Sequence, residues 1–311
     1  MLRRRTLLAL PLLAACPGGQ VDDGAVQLAL DWYPEPEHGG FFAAEPDYAA
    51  ADLRVDILSG RPDAPVIPQV AAGRCTFGIA DAATVLAARA EQVPIVAIFA
   101  ALQRNPRCIL VRADGPRTLA ELRDRTLAMN VREPFSQFLQ RELGLPGVAV
   151  VPYTGSVAPF LADPTLAQQA YVFSEPVVVA AQGVAARCLM VADLGFDPYA
   201  GVVIAHERTV ADRPELARRF VGAATRGWER YLQDPAAANA RIHRENPEMA
   251  LTTLAASAAA VAPLVAVAGG RPGAMTLARW QTLHAQLVEL GVYADGATDP
   301  AQAFRGDLLP A

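Results

Sequence analysis

Residues 30–44, LDWYPEPEHGGFFAA, bring carboxylates, aromatic rings and a histidine together directly after the short apolar run VQLAL. The acids in this segment accept hydrogen bonds when they are ionised, and Trp32 and Tyr33 offer flat ring faces. This combination suits a small, flat heterocycle that carries amino donors. A sulfonate or a phosphate suits it less, because carboxylates repel an anion.

Polar or aromatic side chains also follow most of the other apolar runs that we interpret as strands. Ligands of open α/β sheets settle in the crevice at the carboxyl ends of the strands, so we expect these side chains to surround one cleft. Arg104 and Arg132 also follow strands, and either could neutralise the acids or bind an anion. The candidate ligand-binding residues from this pattern are Asp31, Trp32, Tyr33, Ser59, Asp81, Gln103, Asn130, Tyr153, Phe173 and Glu175.

The elements that must position these residues alternate between short apolar strands and helices over the first two thirds of the chain. Strand-like runs such as VQLAL, TFGIA and VPIVAIFAAL are separated by helical runs such as EPFSQFLQRELG, whose final glycine is a stop signal. This alternation predicts an α/β fold in which mostly parallel sheets are flanked by helices. From residue 207 onward the pattern is helix and turn, which predicts a helical C-terminal tail.

The alternating pattern divides into two parts, which predicts two lobes. A chain of 311 residues is long enough for two medium-sized domains. We expect residues 26–107 and 205–311 to form lobe 1 and residues 108–204 to form lobe 2, with strands near 107–112 and 201–205 crossing between them. The predicted ligand site then lies in the cleft between the lobes.

The composition excludes several classes of function. The 27 basic residues are all arginines, so a Schiff-base lysine and a pyridoxal phosphate held through lysine are excluded. The net charge is −5 and no basic stripe is present, so nucleic acid is a poor candidate for a partner. Cys75, Cys108 and Cys188 adjoin apolar runs without metal-site spacing, which predicts buried thiols and no metal site.

The N-terminus has the pattern of an export signal. Arginines at positions 3 to 5 precede a short apolar stretch and small residues, which predicts a signal peptide over residues 1–15. The sequence LAAC resembles a bacterial lipobox, which implies a lipid on Cys16. Residues 16–25 would then be a flexible, lipidated tether that holds an exported protein on the membrane surface without threading it. We expect the protein to reside in the cell envelope, either in the periplasm or on the outer face of a membrane.

Three stretches resemble solute-binding proteins of the thiamine-pyrimidine-precursor (NMT1/THI5-like) type. LDWYPEPEHGGFFAA resembles the opening of these proteins, in which Leu-Asn/Asp-Trp, a proline and a histidine precede the first helix. The helix–strand–helix segment VAAGRCTFGIADAATVLAARAEQVPIVAIFA is similar to their next segment, and AYVFSEPVVVAAQG to the strand, glutamate and helix of their second lobe. The sequence differs from these proteins in two features, a shortened first helix and the acidic stretch PEPE. Both leave the identity of the ligand open.

This resemblance implies a two-lobed periplasmic-binding-protein type II fold that closes over its ligand by hinge motion and delivers it to an ABC permease and its ATPase. Trp32 and His38 match the motif of the first loop, Asp81 and Ala82 match the loop after the Gly-Ile strand, and Glu175 matches the acid of the second lobe. His38 and Ala82 therefore join the candidate ligand-binding residues. We expect a monomer that binds a thiamine pyrimidine precursor, has no cofactor and is not an enzyme.

Several alternatives remain open at the level of sequence. Riboflavin is also flat and aromatic, so the physical argument does not separate it from a pyrimidine, and other members of the broad group bind nitrate or sulfonates. An exported enzyme is a second class, but the sequence has no Gly-x-Ser-x-Gly and no His-Glu-x-x-His motif. A sensor subunit that binds the same ligand and reports to a partner protein is a third.

Overall fold

The computed structural model describes residues 25–61, 64–265 and 271–310. The predicted signal peptide and Cys16 lie outside these residues. The predicted tether also lies outside them, except for Ala25, which is the first residue of a strand. Within the described ranges, no helix has the length and apolar character needed to cross a membrane.

Two five-stranded sheets form the framework, one in each lobe. The spatial order is β2-β1-β3-β10-β4 in the first sheet and β7-β6-β8-β5-β9 in the second. The strands of the first sheet are β1 (Ala25–Ala29), β2 (Arg54–Leu58), β3 (Phe77–Ala80), β4 (Ile95–Leu102) and β10 (Ala200–His206). Those of the second sheet are β5 (Arg107–Arg112), β6 (Thr126–Ala128), β7 (Ala149–Val151), β8 (Ala167–Tyr171) and β9 (Ala186–Met190).

Each sheet is mixed in a way that follows from the two crossings of the chain. Strand β5 begins the second sheet directly after β4, and it runs antiparallel to both of its neighbours, β8 and β9. Strand β10 returns to the first sheet and runs antiparallel to β3 and β4. The other pairs, β1 with β2 and β3 and β6 with β7 and β8, are parallel. Four strands of each sheet therefore run in one direction, which confirms the predicted mostly parallel α/β architecture.

Helices flank both sheets and make up most of the C-terminal part, as predicted. The helices of the alternating part are α1 (Gly39–Ala43), α2 (Glu45–Ala50), α3 (Val66–Ala71), α4 (Ala82–Ala90), α5 (Pro134–Leu143), α6 (Ala158–Ala162) and α7 (Glu175–Ala181). The C-terminal part contains α8 (Glu207–Asp212), α9 (Pro214–Gln233), α10 (Ala236–Glu245), α11 (Leu251–Val265) and α12 (Leu277–Glu289). One-turn 3₁₀ helices add short segments, of which Pro36–His38 matters most for the site.

Two glycines fix the loop after β1 against helix α9. Trp228 and Tyr231 of α9 are buried, and the helix α1 packs across them. A Cβ atom on Gly39 would lie 2.1 Å from the Tyr231 ring, and one on Gly40 would lie 2.1 Å from the Trp228 ring. Only glycine therefore permits this approach, which seats the polar segment before α1 on the core of lobe 1.

Two local details differ from the sequence prediction. The strand predicted at AYVF is β8, which begins earlier, at Ala167, because Gln168 and Gln169 continue the strand although they interrupt its apolar pattern. Cys75 and Cys108 are buried as expected, but Cys188 is only partly buried. Cys75 lies in the bend before β3, whereas Cys108 and Cys188 lie in β5 and β9.

Candidate functional site

A cavity of about 1170 Å³ lies between the two lobes. The loop after β1 supplies its wall on lobe 1 with Trp32, Glu35 and Glu37. The second sheet and its loops supply the opposite wall. Its members there are Arg107, Asn130, Val131, Arg132, Glu133, Val150, Val151, Pro152, Tyr153, Thr154, Gly155, Ser156, Val157, Gln169, Tyr171, Ser174, Glu175 and Val178.

The aromatic part of the lobe 1 wall is exposed to the cavity and to solvent. Trp32 is 42% exposed and Tyr33 is 45% exposed, and their rings meet edge to face with centroids 5.6 Å apart. Gly60 at the end of β2 donates its backbone N–H to the Trp32 carbonyl at 3.0 Å, and a Cβ at Gly60 would lie 2.3 Å from the Leu30 carbonyl oxygen. The Trp32 loop is thus held in place while its ring face stays open for stacking.

Two buried glutamates line the same cavity, one on the 3₁₀ turn Pro36–His38 and one on the residue before it. Glu35 and Glu37 are each less than a tenth exposed, although both line the cavity. Burial raises the pKa of Glu35 to about 8; a hydrogen bond with Glu37 opposes this, and the carboxylates of Glu175 and Asp31 add to it. Burial likewise holds the pKa of Glu37 well above its ordinary value, against the effect of His38.

His38 fixes the loop after β1 through both of its ring nitrogens. Its Nε2 lies 3.0 Å from Asp31 Oδ1, and its Nδ1 accepts the backbone N–H of Glu35 at 3.4 Å. Burial lowers the pKa of His38, but the hydrogen bond with Asp31 and the charges of Glu37 and Asp31 outweigh this and raise it. The accepting role of Nδ1 places the proton on Nε2, which donates to Asp31.

A metal ion does not fit this cluster, although Asp31, Glu37 and His38 offer ligand atoms that all lie within 4.8 Å of one another. A metal-bound imidazole donates its second N–H to a carboxylate or a carbonyl. Here the second ring nitrogen of His38 faces the backbone N–H of Glu35, which is a donor. The imidazole is therefore arranged to hold Asp31, not a cation.

Glu175 is fixed on the opposite wall. Its Oε1 accepts the hydroxyl of Tyr153, and its Oε2 accepts the backbone N–H of Tyr171 at 2.8 Å. It is the first residue of α7, where the helix dipole stabilises a negative charge. Burial raises the pKa of Tyr153, and Glu175 adds to the effect, so the phenol remains a donor.

Arg107 is the central cation of the lobe 2 wall. Its guanidinium lies 4.5 Å from the Phe135 ring centroid and 4.3 Å from that of Tyr171, and its Nη2 donates to Glu133 Oε2 at 2.7 Å. Its Nη2 also lies 3.1 Å from the Tyr171 hydroxyl. Because Glu133 already neutralises this arginine, it is a weak candidate for binding an anionic ligand.

The structure brings eight of the twelve candidate residues to the cleft or to its immediate supports. Trp32, Asn130, Tyr153 and Glu175 line the cavity. Asp31 and His38 hold the glutamate loop, Tyr33 contacts Trp32, and Asp81 lies near Tyr171, which lines the cavity. Burial raises the pKa of Asp81 to about 7, and Asp31 adds to this while Arg107 opposes it.

The other four candidate residues lie outside the cavity lining. The Ser59 hydroxyl donates to the Gly60 carbonyl, and Ala82 is fully buried at the start of α4. The Gln103 amide donates to the carbonyls of Ala100 and Ala274. Phe173 is fully buried in the cluster that contains Trp228.

Sequence reasoning missed Arg107 and Tyr171 as site residues. Arg107 begins its strand, whereas the candidates were sought at strand ends. Because β5 runs antiparallel to β8, the start of β5 pairs with the end of β8, and Arg107 lies opposite Tyr171. The predicted crossing of the chain near 107–112 was the signal that could have identified this arginine.

The raised pKa of Glu35 predicts how the stability of the protein depends on pH. Glu35 has a pKa of about 8 in the folded protein against an ordinary value of 4.5, so the folded state binds more protons than the unfolded state between these values. The resulting stabilisation is complete below pH 4.5 and is lost as the pH rises toward 8. We expect the free energy of unfolding, measured with denaturant, to fall across this window by up to about 1.4 kcal/mol per pH unit.

Two variants isolate the contribution of Glu35. Glu35→Gln should flatten the decline, because its side chain no longer titrates. Glu91→Gln, at the exposed end of α4, should leave the decline unchanged. A Glu35→Gln protein with the slope of the original chain would contradict the assignment.

Comparisons with known proteins show the family of the chain. The family model described as NMT1/THI5 like matches residues 35–238. The riboflavin-binding protein RibY of Chloroflexus aurantiacus is 29% identical over 245 residues, which cover 74% of this chain and 69% of that protein.

Solved structures confirm the predicted periplasmic-binding-protein fold. The periplasmic aliphatic sulphonate binding protein SsuA of Escherichia coli superposes with a TM-score of 0.67 at 14% identity, over 90% of this chain and 91% of that one. The desulfurization enzyme DSZB superposes with a TM-score of 0.62 at 15% identity, over 91% and 97% of the two chains. Since a binding protein and an enzyme share this fold, the fold alone does not separate the two roles.

Proposed function

Because the chain belongs to the NMT1/THI5-like family, we propose that it is the substrate-binding subunit of an ABC-type importer and captures a flat nitrogen heterocycle between its lobes by hinge closure. One observation carries this proposal. The open face of Trp32 and the buried pair Glu35 and Glu37 on one lobe lie across the same cavity from Tyr153 and Glu175 on the other.

The charge of the cleft argues against an anionic solute. Four glutamates line it, and one of its two arginines, Arg107, is already paired with Glu133. A sulfonate would have to approach Glu175, whose two oxygens are both acceptors, and it would find no buried arginine without a carboxylate partner among the residues that line the cavity. The fold is shared with SsuA, but the chemistry of this cleft suits amino or imide N–H donors.

Riboflavin is our first choice of ligand, and a thiamine pyrimidine precursor is the second. The cavity of about 1170 Å³ is far larger than a single ring needs, and a relative that covers most of this chain is a riboflavin-binding protein. The first-loop motif LDW followed by His38 favours the pyrimidine precursor. Both ligands stack on an aromatic ring and present N–H groups to carboxylates.

The state of His38 supports a binding role over catalysis. Both of its ring nitrogens are engaged, one with Asp31 and one with the Glu35 N–H, so the ring is not free to act as a general base. The hydroxyl groups of the cleft, such as those of Thr154 and Ser174, have no hydrogen bond to a histidine among the described residues. We therefore assign the cleft to capture and release, with no cofactor.

The proposal includes export and anchoring. A signal peptide over residues 1–15 and a lipid on Cys16 would place a monomer in the cell envelope beside its permease and ATPase. The lobes would divide close to the expected bounds of 26–107 with 205–311 and 108–204, with residues 200–204 in strand β10 of the first sheet and Arg107 in strand β5 of the second. A mature N-terminus at Cys16 carrying acyl chains, detected by mass spectrometry of the membrane fraction, is the expected result, and a soluble protein cleaved elsewhere would contradict the anchor.

A thermal-shift screen tests the ligand class. We expect riboflavin, or failing that hydroxymethylpyrimidine or formylaminopyrimidine, to raise the melting temperature, since a ligand at a hundred times its Kd stabilises a protein by about 2.7 kcal/mol. Thiamine and taurine complete the panel. Selective stabilisation by taurine would contradict the proposed heterocycle.

A further inference from the structure

A second cavity, of about 630 Å³, adjoins the interlobe cleft and also has walls from both lobes. Helix α4 and the end of α12 line it from lobe 1, and helix α5 lines it from lobe 2. Its polar side chains are those of Thr84, Arg132, Gln137, Arg141 and Glu289. Of these, Arg132 alone also lines the cleft, so the second cavity is a space that the site described above does not use.

The two cavities meet at Arg132. This residue lines both of them, whereas Glu133 lines only the cleft and Pro134 lines only the second cavity. The backbone N–H of Arg132 donates to Asn130 Oδ1 at 3.2 Å, and the Glu133 carboxylate accepts from Arg107 at 2.7 Å. Both contacts hold the segment in place. These three consecutive residues therefore form the boundary between the two cavities.

The side chain of Arg132 is available to a ligand. Its guanidinium makes no hydrogen bond or ion pair with any residue that the structure describes, and the same holds for the side-chain amide of Gln137. Arg141 differs, because its Nη2 lies 3.1 Å from Glu289 Oε2. Within the described lining of the second cavity, Arg132 is thus the cation that no carboxylate neutralises.

The chemistry of the second cavity complements that of the cleft. A guanidinium has five N–H donors and no acceptor, so Arg132 suits acceptor oxygens such as those of hydroxyl or phosphate groups. The amide of Gln137 both donates and accepts, which also suits hydroxyl groups. The glutamates of the cleft instead suit N–H donors. A ligand that occupies both cavities therefore has ring N–H groups at one end and acceptor oxygens at the other.

We propose that the ligand carries a flexible arm of acceptor oxygens, which Arg132 binds and which extends past it into the second cavity. This inference rests on the proposed function, in which the ring of the ligand occupies the cleft. It separates the two ligands considered above, because riboflavin has a ribityl arm of hydroxyl groups and the free pyrimidine precursor has no arm of that length. Since α4 and α5 belong to different lobes, an arm bound between them contacts both lobes and favours the closed state.

Titration of the full chain with three flavins that share one ring system tests the arm. Lumiflavin has a methyl group in place of the arm, riboflavin has the hydroxyl arm, and flavin mononucleotide adds a phosphate to that arm. We expect riboflavin or flavin mononucleotide to bind at least tenfold more tightly than lumiflavin, measured by quenching of flavin fluorescence. Arg132→Ala should remove most of this difference and leave the affinity for lumiflavin unchanged.

Two further variants separate the effect of charge from that of space. Ala87→Phe fills part of the second cavity without changing its charge, so it should weaken the binding of the two flavins that have an arm and spare lumiflavin. Arg123→Ala removes an exposed arginine that lines neither cavity, and it should bind all three flavins as the original chain does. In Arg132→Ala, a loss for flavin mononucleotide alone identifies the phosphate as the group that Arg132 binds, and a loss for riboflavin as well identifies the hydroxyl groups.

Three results would overturn the arm: lumiflavin binding to the original chain as tightly as the other two flavins, unchanged affinities in Arg132→Ala, or an equal loss for lumiflavin and riboflavin in that variant. If one of these occurs while lumiflavin binding still depends on Trp32, the proposed function stands. Stabilisation by hydroxymethylpyrimidine without binding of any flavin would also overturn the arm and leave the proposed function intact. Binding of none of these compounds would refute both.

Discussion

Replacement of Trp32 by alanine is expected to lower the affinity for riboflavin at least tenfold. The indole is the largest exposed ring in the wall of the cleft, and its loop is held by the hydrogen bond between Gly60 and the Trp32 carbonyl. Loss of its stacking surface removes about 1.4 kcal/mol or more of binding free energy. Quenching of riboflavin fluorescence during titration measures the change.

Two matched variants serve as controls for Trp32→Ala. Trp32→Phe keeps an aromatic face and should retain most of the affinity. Leu277→Ala removes a similarly exposed apolar side chain at the start of α12, outside the cavity lining, and should leave binding unchanged. Equal affinity of Trp32→Ala and the original chain would show that the ligand does not stack on this loop.

Gly40→Ala is expected to destabilise the protein strongly. The added Cβ would lie 2.1 Å from Cδ2 of Trp228, which is fully buried, so the ring or the helix α1 must shift. Overpacking of this kind lowers the free energy of unfolding by about 1–3 kcal/mol. Chemical denaturation at fixed pH measures the loss.

The control for this change is another buried glycine in the same packing region. A Cβ on Gly222 of α9 would meet its nearest neighbours at an ordinary 3.5 Å, and alanine is favoured over glycine in a helix. Gly222→Ala should therefore keep or slightly raise stability. A Gly40→Ala protein as stable as Gly222→Ala would mean that α1 does not pack on Trp228 in the way described.

The fold was predictable where its strands are buried on both faces. VPIVAIFAAL corresponds to β4, which is buried along its whole length, and such apolar runs between helices indicate parallel α/β sheets. β8 was harder to place, since Gln168 and Gln169 interrupt its apolar pattern. Gln169 lines the cleft, where its side-chain oxygen accepts the backbone N–H of Asn130. A polar residue that faces the cleft therefore interrupts the apolar pattern by which a central strand is recognised.

Residues of the candidate site were predictable where a polar or aromatic side chain directly follows a strand. Trp32, Asn130, Tyr153 and Glu175 follow predicted strands and line the cavity. Sequence spacing does not show which way a side chain turns at a strand end, which is why Phe173 was proposed for the cleft although it packs in the core.

The support of the first loop depends on contacts that sequence cannot reveal. The two glycines after His38 read as flexible residues, whereas in the structure they meet rings on α9, far along the chain. The proximity of Glu35 to Glu175 across the lobes likewise arises only from the tertiary fold. Both features concern pairs of residues whose separation no local pattern encodes.

A crystal structure of the full chain with riboflavin tests the central claim most directly. The account predicts the ring system between the lobes, stacked on Trp32, with its imide edge at Glu35 and Glu37. Riboflavin bound outside the interlobe cavity, or bound there with the Trp32 ring turned into solvent, would contradict it.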